Sequence, residues 1–561
     1  MKYIERGEIM KMMKIKKNNS QDLKTIFGLL FAGIVYFYAV LYIYIFNSNK
    51  GSVFESDVKV INFAHWHTED GVKEGFDAAI KLYEEMKAKQ GIKVKVIQSI
   101  IPSRGYRQWY LTQLVGGNPV DIIQLAGSPN IQYQYMRHLS AYIGKVNPYN
   151  KGTVLEGMPW KDTILDGMKS MLDKNYSEYF GIKVFVHYDR IFVNLDLLKQ
   201  ITGKDKAPTT ISDWFDSCKT IKDYAKKEHK IIIPIVGRGI SRKMLWFFHR
   251  NYFSQMNGIL NDLYGRYYDA DVRPADILKA YREGKVEKNR LYGFVDIMSE
   301  MGNYFAEGFN AMDSEQAAYL FYTKKAVFYL DGTWDISPIF KNADFNVAVI
   351  RIPVIDKNYR YYKYFTGDIA EADTDKGSKF GIPKASKNFD LALDFLKFLT
   401  SYKINLLISS YCKFAPVVKK AEYKGLLKYA KPNLKGNPLI PTPFFSGIWK
   451  SASMARMLES LETIIIEKKK NPIEYFNNSF KNYRKFIYSE LQEGLKNINR
   501  NTFKYEMQRS QIFIGNLRKK ITQEEKLSLT LRKKMLLEAF EKHALQYFYT
   551  KDFIKELKKV K

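Results

Sequence analysis

One tryptophan of this sequence directly follows a predicted strand and turn, and this placement suggests a chemical role for its side chain. From Thr323 to Phe340 the chain reads T-K-K-A-V-F-Y-L-D-G-T-W-D-I-S-P-I-F, and Ala326–Leu330 is an apolar run typical of a buried strand. The next residues, Asp331-Gly332-Thr333, have turn chemistry, and Gly332 would supply the conformational freedom for a sharp turn. The turn would then present Trp334 as a flat apolar surface. The alternative is a core tryptophan that follows a turn.

The sequence offers little else that could perform catalysis. His65 and His67 form an H-x-H pair whose rings would share one face of a strand, but no third ligand lies nearby, so we predict no metal site. There is no P-loop, no G-x-S-x-G and no repeated Cys/His pattern, and no cofactor is predicted. A carboxylate pair for glycoside hydrolysis is not singled out among the 59 acidic residues. We therefore predict that the protein is not an enzyme.

Composition describes a multi-domain globular chain that does not bind nucleic acid. Its 561 residues exceed one ordinary domain, and 46% hydrophobic content rules out general disorder. The formal charge of +30 would suit phosphate contacts, but the basic residues are spread along the chain without a nucleic-acid motif. The two cysteines, Cys218 and Cys412, are predicted to be small buried hydrophobes, with a single bridge as the alternative.

The N-terminal region has the composition of a membrane anchor. Ile26–Phe46 is a 21-residue apolar and aromatic run, long enough to span a bilayer as a helix. The preceding residues 1–24 hold seven Lys or Arg against three acidic residues, which predicts a cytoplasmic N-terminus and an external remainder. A cleavable signal peptide is the alternative, although Asn47-Ser48-Asn49-Lys50 is a poor cleavage site. We predict an uncleaved transmembrane helix at 25–47, then a linker at 48–57.

Strands and helices alternate after the linker. Strands are predicted at Val58–Phe63, Ile92–Val96 and Val120–Leu125, with helices at Asp70–Lys89 and Trp109–Val115 between them. This order predicts a parallel sheet covered by helices, whose ligands bind beyond the carboxyl ends of the strands. The segments at those ends are His65-Trp66-His67, Ala126-Gly127-Ser128 and the D-G-T-W turn.

A series of motifs, in the same order along the chain, resembles the bacterial extracellular solute-binding proteins of ABC importers, the family that includes maltose-binding protein. Each motif is short, but together they span roughly residues 58–491. They are V-I-N-F-A-H-W (60–66), L-T-Q-L-V-G-G-N-P-V-D-I-I-Q (111–124), F-G-I-K-V-F-V-H-Y-D-R-I-F-V-N-L-D-L-L-K (180–199), A-P-T-T-I-S-D-W (207–214), K-K-A-V-F-Y-L-D-G-T-W (324–334), G-I-P-K-A-S-K-N-F-D-L-A-L-D-F-L-K-F-L (381–399) and F-F-S-G-I-W-K (444–450).

The resemblance implies an α/β fold of two lobes at 58–491, a periplasmic-binding-protein clamp whose chain crosses a hinge several times. It also implies a ligand in the cleft between the lobes and an ABC permease as partner. Aromatic side chains would pack on the ligand and aspartates would accept hydrogen bonds from its hydroxyls. The candidate stacking residues are Trp66, Trp246, Trp334 and Trp449, and the candidate acceptors are Asp189, Asp331 and Asp368.

Ligand and role are not fixed by the resemblance, because the sequence departs from the family pattern. Val120 stands where the family has a proline before its aspartate, and Val193-Asn194 lacks the family's tyrosine. A sugar or oligosaccharide is the first expectation; polyamines, anions and oligopeptides remain alternatives. A membrane-tethered sensor for a signalling partner is one alternative role. A surface glycan-active enzyme or adhesin is another.

The C-terminal residues 492–561 exceed what the two-lobe scaffold needs. From Gly494 to Lys561 there are 17 Lys or Arg against 7 Asp or Glu, with apolar residues at helical intervals. A basic helical extension packed on the second lobe is the simpler interpretation. The alternative is an amphipathic contact with the anionic membrane surface or with a partner protein.

Overall fold

A computed structural model gives the three-dimensional structure of the chain. The segments that it describes are 58–117, 119–173, 176, 178–239, 251–252, 254–255, 288–365, 367–371, 377–438, 451–479 and single positions at 492, 495–496, 537, 541, 544, 548, 551 and 554–555. The predicted anchor, the linker, Trp246, Trp449 and most of the C-terminal extension lie outside the described residues.

Strands and helices alternate through the described segments. The strands are β1 Lys59–His65, β2 Val94–Ile100, β3 Ile122–Gln124, β4 Leu172–Asp173, β5 Glu178–Tyr179, β6 Ile182–Val186, β7 Asp189–Asn194, β8 Ile233–Gly237, β9 Ala326–Gly332, β10 Val347–Ile350, β11 Ile369–Ala370, β12 Ser378–Gly381, β13 Ala415–Pro416 and β14 Asn437–Pro438. The helices are α1 Val72–Lys89, α2 Ser103–Val115, α3 Pro129–Tyr135, α4 Ser140–Ile143, α5 Trp160–Thr163, α6 Leu195–Thr202, α7 Ile211–Lys227, α8 Lys288–Gly302, α9 Ser314–Tyr322, α10 Ile336–Asn342, α11 Phe389–Leu399, α12 Tyr402–Cys412 and α13 Ser451–Glu467.

The first sheet has the strand order β13-β6-β12-β3-β1-β2. As predicted, β1 and β3 run parallel, with Phe63 opposite Ile122. The strands that join from later in the chain break the pattern, because β12 is antiparallel to both β3 and β6, and β13 is antiparallel to β6. The prediction of a parallel sheet is therefore correct for its first strands and wrong for the sheet as a whole, which is mixed.

The second sheet has the strand order β10-β7-β9-β8. Its central strand β9 is buried at all seven positions, which fits a near-continuous apolar run covered on both faces. Strand β7 pairs antiparallel with β9, which sets Asp189 opposite Gly332 and Arg190 opposite Asp331. Strand β8 pairs parallel with β9 on the other side.

The boundaries of the early elements differ slightly from the predicted ones. Strand β1 continues to His65, β2 begins at Val94, and α2 begins at Ser103, six residues before the predicted start. Helix α1 ends at Lys89, and Gly91 follows with a φ of +74°, the left-handed conformation expected of a glycine after a helix. The chain divides into a small unit that contains Met86–Lys95 and a large unit that contains Ile61–Glu85 and the chain from Val96 onward. The site described below lies within the large unit.

The described residues include three segments that lead from one sheet towards the other. His187 and Tyr188 connect β6 to β7, and residues 351–377 connect β10 to β12. The third segment follows β13: its short 3₁₀ helix Gly425–Ala430 stacks Tyr429 on Phe340 of α10, with ring centroids 5.1 Å apart. Two sheets joined by several passages fit the predicted hinge crossings.

The structure also shows the state of both cysteines and of one large buried aromatic side chain. Cys218 and Cys412 are both free and buried, so the alternative of a bridge between them is wrong. Trp160 is fully buried and its indole N–H donates to Thr400 Oγ1 at 2.9 Å, so it is a packing residue. Within the described part of the chain, no helix has the length and apolar character to cross a membrane.

Candidate functional site

The loop after β1 places Trp66 beside the core of the first sheet. The backbone N–H of Trp66 donates to Gln124 Oε1 of β3 at 3.2 Å, which ties the loop to the neighbouring parallel strand. Its half-buried indole meets Tyr106 of α2 edge to face, with ring centroids 4.9 Å apart. One side of the indole is therefore held by protein while the rest is accessible.

The turn after β9 places Trp334 directly on the strand that precedes it. Strand β9 continues to Gly332, two residues beyond the predicted end, and Thr333–Asp335 form a 3₁₀ turn. A Cβ at position 332 would lie 2.3 Å from two carbons of the Trp334 indole, so the ring occupies the space that a side chain would need. Gly332 has a φ of −147°, an extended conformation open to any residue. The reason predicted for Gly332 from the sequence is its conformational freedom, and that explanation is wrong. The position needs a glycine because the Trp334 ring lies against its Cα.

A series of ring contacts connects Trp66 to Trp334. Trp66 lies 5.6 Å from His67, His67 lies 5.8 Å from His187, and His187 lies 5.8 Å from Trp334, all measured between ring centroids. Trp66 and His67 follow a strand of the first sheet, His187 lies on the segment between the sheets, and Trp334 follows a strand of the second. The two half-buried tryptophans therefore belong to one aromatic group that includes both sheets.

A carboxyl pair lies beneath Trp334 at the end of β9. The Tyr329 hydroxyl is 2.8 Å from Asp331 Oδ2 and 2.6 Å from Asp335 Oδ2, although it has only one proton to donate. Burial and then the charge of Asp335 raise the pKa of the Asp331 carboxyl well above its usual range, while hydrogen bonds from Tyr329 and Trp334 act in the opposite direction. Burial also raises the pKa of Asp335. Both carboxyls therefore favour the neutral form more than a free aspartate does.

Glu69 is a further acidic residue on the first-sheet side of the group. Burial favours its neutral form, but a hydrogen bond from His67 brings the pKa of Glu69 below its usual range. Its charge also acts on Asp335, which indicates that the loop after β1 and the turn after β9 are neighbours. A hydrogen bond from Ser337 Oγ to Asp70 Oδ2 at 2.6 Å joins the same two segments.

His67 is held in one orientation by three polar partners. Its Nδ1 is 2.9 Å from Glu69 Oε2, and its Nε2 is 2.9 Å from Gln124 Nε2 and 2.5 Å from Ser378 Oγ. Because the Trp66 N–H fixes the amide oxygen of Gln124, the amide nitrogen must donate to His67 Nε2. We infer a neutral ring whose Nδ1–H donates to Glu69.

The order Ser378, His67, Glu69 resembles a nucleophile, a base and an orienting carboxylate. Two observations argue against that chemistry. Ser378 is 1% exposed, so a substrate does not reach its Oγ in this structure, and Gln124 shares the His67 nitrogen that would have to receive the proton. The network fits the positioning of the loop after β1.

The H-x-H pair forms no metal centre within the described segments, where no group of three or more His, Cys, Asp or Glu is placed to hold an ion. His65 Nε2 lies 2.8 Å from Gln98 Oε1, and its Nδ1 accepts from the His67 backbone N–H. Burial lowers the pKa of His65 to about 4, which keeps the ring neutral at physiological pH.

The other candidate residues occupy different surroundings. The Asp189 carboxylate accepts from Asn251 Nδ2 at 3.0 Å, and its backbone lies opposite Gly332, next to the aromatic group. Asp368 lies on the segment between β10 and β12, where its oxygens accept from Arg351 at 3.0 and 2.7 Å and from Asn433 at 3.1 Å. Its carboxylate is therefore engaged within the hinge segments. Trp246 and Trp449 lie outside the described residues.

Sequence reasoning missed Glu69, His187 and Asp335. A signal existed for two of them, because Glu69 follows W-H-T in the loop after β1 and Asp335 directly follows Trp334. His187 carries no local signal, since its role comes from a position between two sheets.

The family assignment comes from comparison with known proteins. The model of the family described as bacterial extracellular solute-binding protein matches residues 65–405. Because the match spans more than half of the 561 residues, the chain belongs to that family of extracellular solute-binding proteins. The matched range includes Trp66 and Trp334 and ends before Trp449 and the C-terminal extension.

Several solved structures are similar over most of this chain. A chitin oligosaccharide binding protein is 14% identical with a TM-score of 0.49, covering 77% of this chain and 99% of its own. Maltose-bound MalE3 of T. maritima is 18% identical with a TM-score of 0.48, covering 76% and 100%. A sugar transporter of Bacillus licheniformis in complex with stachyose is 16% identical with a TM-score of 0.47, covering 76% and 99%. No curated protein matches the chain significantly in sequence.

Proposed function

We propose that this protein is a membrane-tethered extracytoplasmic receptor that binds a carbohydrate-like solute between its two sheets and presents it to an ABC importer. The observation that carries the proposal is the aromatic group, in which half-buried Trp66 and Trp334 come from different sheets and meet through His67 and His187. A ligand that packs on both tryptophans would contact both lobes.

The chemistry of the group favours a sugar. The C–H faces of a sugar ring pack on indoles, and sugar hydroxyls need polar partners once water is removed. Asp331, Asp335 and Glu69 supply carboxyl groups on both sides of the aromatic group. Because burial raises the pKa of both Asp331 and Asp335, the pair would accept hydrogen bonds while carrying less charge than two free carboxylates.

Capture by closure follows from contacts on both lobes. A ligand shifts an open–closed equilibrium only as far as it binds the closed form better, and contacts with Trp66 and Trp334 together are available only when the lobes are close. Hinge motion of this kind is the mode of closure in periplasmic binding proteins. The three segments between the sheets would form the hinge.

A thermal-shift panel on the detergent-purified full chain tests the ligand class. The panel contains maltotriose, chitotriose, xylotriose and raffinose as neutral sugars, with spermidine, citrate and a tripeptide as the alternatives. A ligand that binds only the folded state raises the melting midpoint, so we expect a rise with at least one neutral sugar. A rise with spermidine, citrate or the tripeptide alone would contradict the proposal.

The tether is proposed from Ile26–Phe46 and its basic flank, which lie outside the described residues. We expect the mature protein in cells to retain its N-terminal residues and to fractionate with membranes. Mass spectrometry of the N-terminal peptide of the cell-derived protein checks this. A mature N-terminus near Lys50 would show instead that the apolar run is a cleaved signal peptide.

A further inference from the structure

Arg190 is a fully buried arginine whose whole hydrogen-bonding capacity is used. It is the second residue of β7, directly after the passage from the first sheet, and is 2% exposed. Its Nε donates to Tyr429 O at 3.0 Å, its Nη1 to Asp189 O and Glu371 Oε1 at 2.7 Å each, and its Nη2 to Glu371 Oε2 at 3.3 Å and Lys431 O at 3.0 Å. All five N–H groups of the guanidinium therefore have acceptors.

Arg190 lies two residues after the first segment, and its acceptors outside β7 come from the other two segments that lead between the sheets. Asp189 follows the first passage, Glu371 lies on the segment between β10 and β12, and Tyr429 and Lys431 lie on the segment after β13. The last two segments also hold each other, because Asn433 N donates to Glu371 Oε2 at 2.8 Å and Glu371 N donates to Asn433 O at 2.7 Å. One guanidinium and one carboxylate thus connect three stretches that are distant in sequence.

Stability alone is a poor reason for such a pair. The removal of two charges from water offsets much of their attraction, and apolar residues of similar size often serve stability equally well. The planar, forked guanidinium does position its neighbours, because it fixes both the distance and the direction of each acceptor. The ring of Tyr188 lies on one side of this plane, 5.2 Å from its central carbon, and restricts it further.

We propose that Arg190 and Glu371 are positioning residues that pin the hinge, holding the three passages at fixed relative positions so that the lobes move as rigid bodies. The proposal rests on the proposed function only in that the motion serves ligand capture. The pin is also close to the candidate site, because Arg190 lies opposite Asp331 and Asp189 lies opposite Gly332 in the β7–β9 register. Its effect would be to keep Trp334 aligned with Trp66 as the lobes approach.

Interlobe distance distributions in the full chain, without ligand, test the pin. Spin labels are placed at K81C on α1 and K341C on α10, two exposed positions on helices of different lobes, while Cys218 and Cys412 are buried and escape labelling. Arg190→Met combined with Glu371→Met removes the fork and leaves no charge unpaired. We expect a melting midpoint close to that of the wild type with a broader distance distribution. A wild-type distribution in this folded variant would overturn the proposal.

Two further variants separate geometry from charge and from instability. Lys204→Met with Asp213→Asn removes a partly exposed ion pair that joins the loop after α6 to the first turn of α7, and it should leave the distribution unchanged. Arg190→Lys keeps the charge beside Glu371 but loses the fork, so the distribution should broaden even though the ion pair persists. If the double methionine variant does not fold, Arg190→Lys carries the test, and an unbroadened distribution there overturns the proposal. These measurements need no ligand, so a failed thermal-shift panel would count against the proposed function and not against the pin.

Discussion

Trp334 is held on two sides: its indole lies on the backbone of Gly332, and its ring meets His187. Neither contact buries it, since the side chain stays half-exposed next to the carboxyl groups of Asp331 and Asp335. A large apolar ring in that position is poorly explained by the demands of the core. It is well explained by a ligand that packs on the accessible part of the indole.

Trp334→Ala should separate binding from folding. We expect it to weaken binding of the panel sugar by about 1–3 kcal/mol, the contribution of a large apolar contact, with little change in melting temperature. Trp160→Ala is the matched control, because Trp160 is fully buried and should instead lower stability by roughly 3–5 kcal/mol. Calorimetric titration and thermal unfolding of both variants give the two quantities. A large loss of stability in Trp334→Ala would show that Trp334 is a core residue and not a ligand contact.

The carboxyl pair predicts a particular pH dependence. The folded-state pKa of Asp331 lies well above its ordinary value of 3.8 because of burial and the charge of Asp335. The contribution of Asp331 to the free energy of unfolding is therefore fully present below pH 3.8 and is lost as the pH rises through the raised pKa. While only the folded state holds the proton, the wild-type free energy of unfolding should fall by about 1.4 kcal/mol per pH unit from this group alone.

Asp331→Asn should remove that fall, since an amide has no proton to lose in this range. Urea unfolding of both proteins between pH 4 and 8 measures the difference, which should grow in favour of the variant as pH rises. Asp394→Asn is the control, because Asp394 also accepts from tyrosine hydroxyls, at 2.8 Å from Tyr83 and 2.7 Å from Tyr149. Parallel pH profiles for wild type and Asp331→Asn would show that folding does not raise the pKa of Asp331.

Among single residues, the sequence predicted those with a strong local pattern. Trp66 and Trp334 each follow a recognisable strand, and the structure places both in one aromatic group. Glu69, Asp335 and His187 were missed because their importance depends on contacts between segments distant in sequence. Asp368 was assigned as a ligand acceptor from its residue type, whereas the structure pairs it with Arg351.

At the scale of elements, hydrophobic periodicity and composition predicted the positions of the strands more reliably than their directions within the sheet. Hydrophobic patterns located β1, β2, β3 and β9, and β1 and β3 are parallel as the alternating order implied. The antiparallel entry of β12 and β13 depends on how later passages return to the first sheet. Residue alternation is the same for either strand direction, so the pattern carries no information on it.

The end of β9 offers a test of how an element positions a side chain. Gly332→Ala introduces no backbone strain at a φ of −147°, but its Cβ would lie 2.3 Å from the Trp334 ring. Because the ring can move and the strand cannot, we expect the indole to shift, with weaker sugar binding and an altered tryptophan emission spectrum.

Gly105→Ala is the matched control for this change. A Cβ at position 105 meets nothing within 4 Å, and the residue lies in the first turn of α2. This substitution should leave emission and binding unchanged and stabilise the protein by roughly 0.4–1 kcal/mol. Wild-type emission and binding in Gly332→Ala would show that the position of the Trp334 indole does not depend on the absence of a side chain at position 332.

At the scale of the whole molecule, the family assignment covers residues 65–405, and the strands of the two sheets extend from Lys59 to Pro416. The resemblance of ordered motifs predicted the family correctly, because the motifs within the described residues fall on strands and helices of the fold and at the turns between them. It could not predict a role for residues 492–561, which lie beyond the matched range. Ile554, one of the few described positions there, is buried, which fits packing of this extension against protein.

The extension still has the charge expected of a membrane-surface contact. From Gly494 to Lys561 it carries ten more basic than acidic residues, and a basic amphipathic helix binds anionic lipid through charge and apolar burial together. We expect the detergent-purified full chain, reconstituted on nanodiscs, to bind added anionic vesicles of phosphatidylglycerol, and this binding should weaken as salt screens the charges. Deletion of residues 494–561 should abolish co-sedimentation with these vesicles, while neutral phosphatidylcholine vesicles should bind neither protein. Equal binding before and after the deletion would leave packing on the second lobe as the role of the extension.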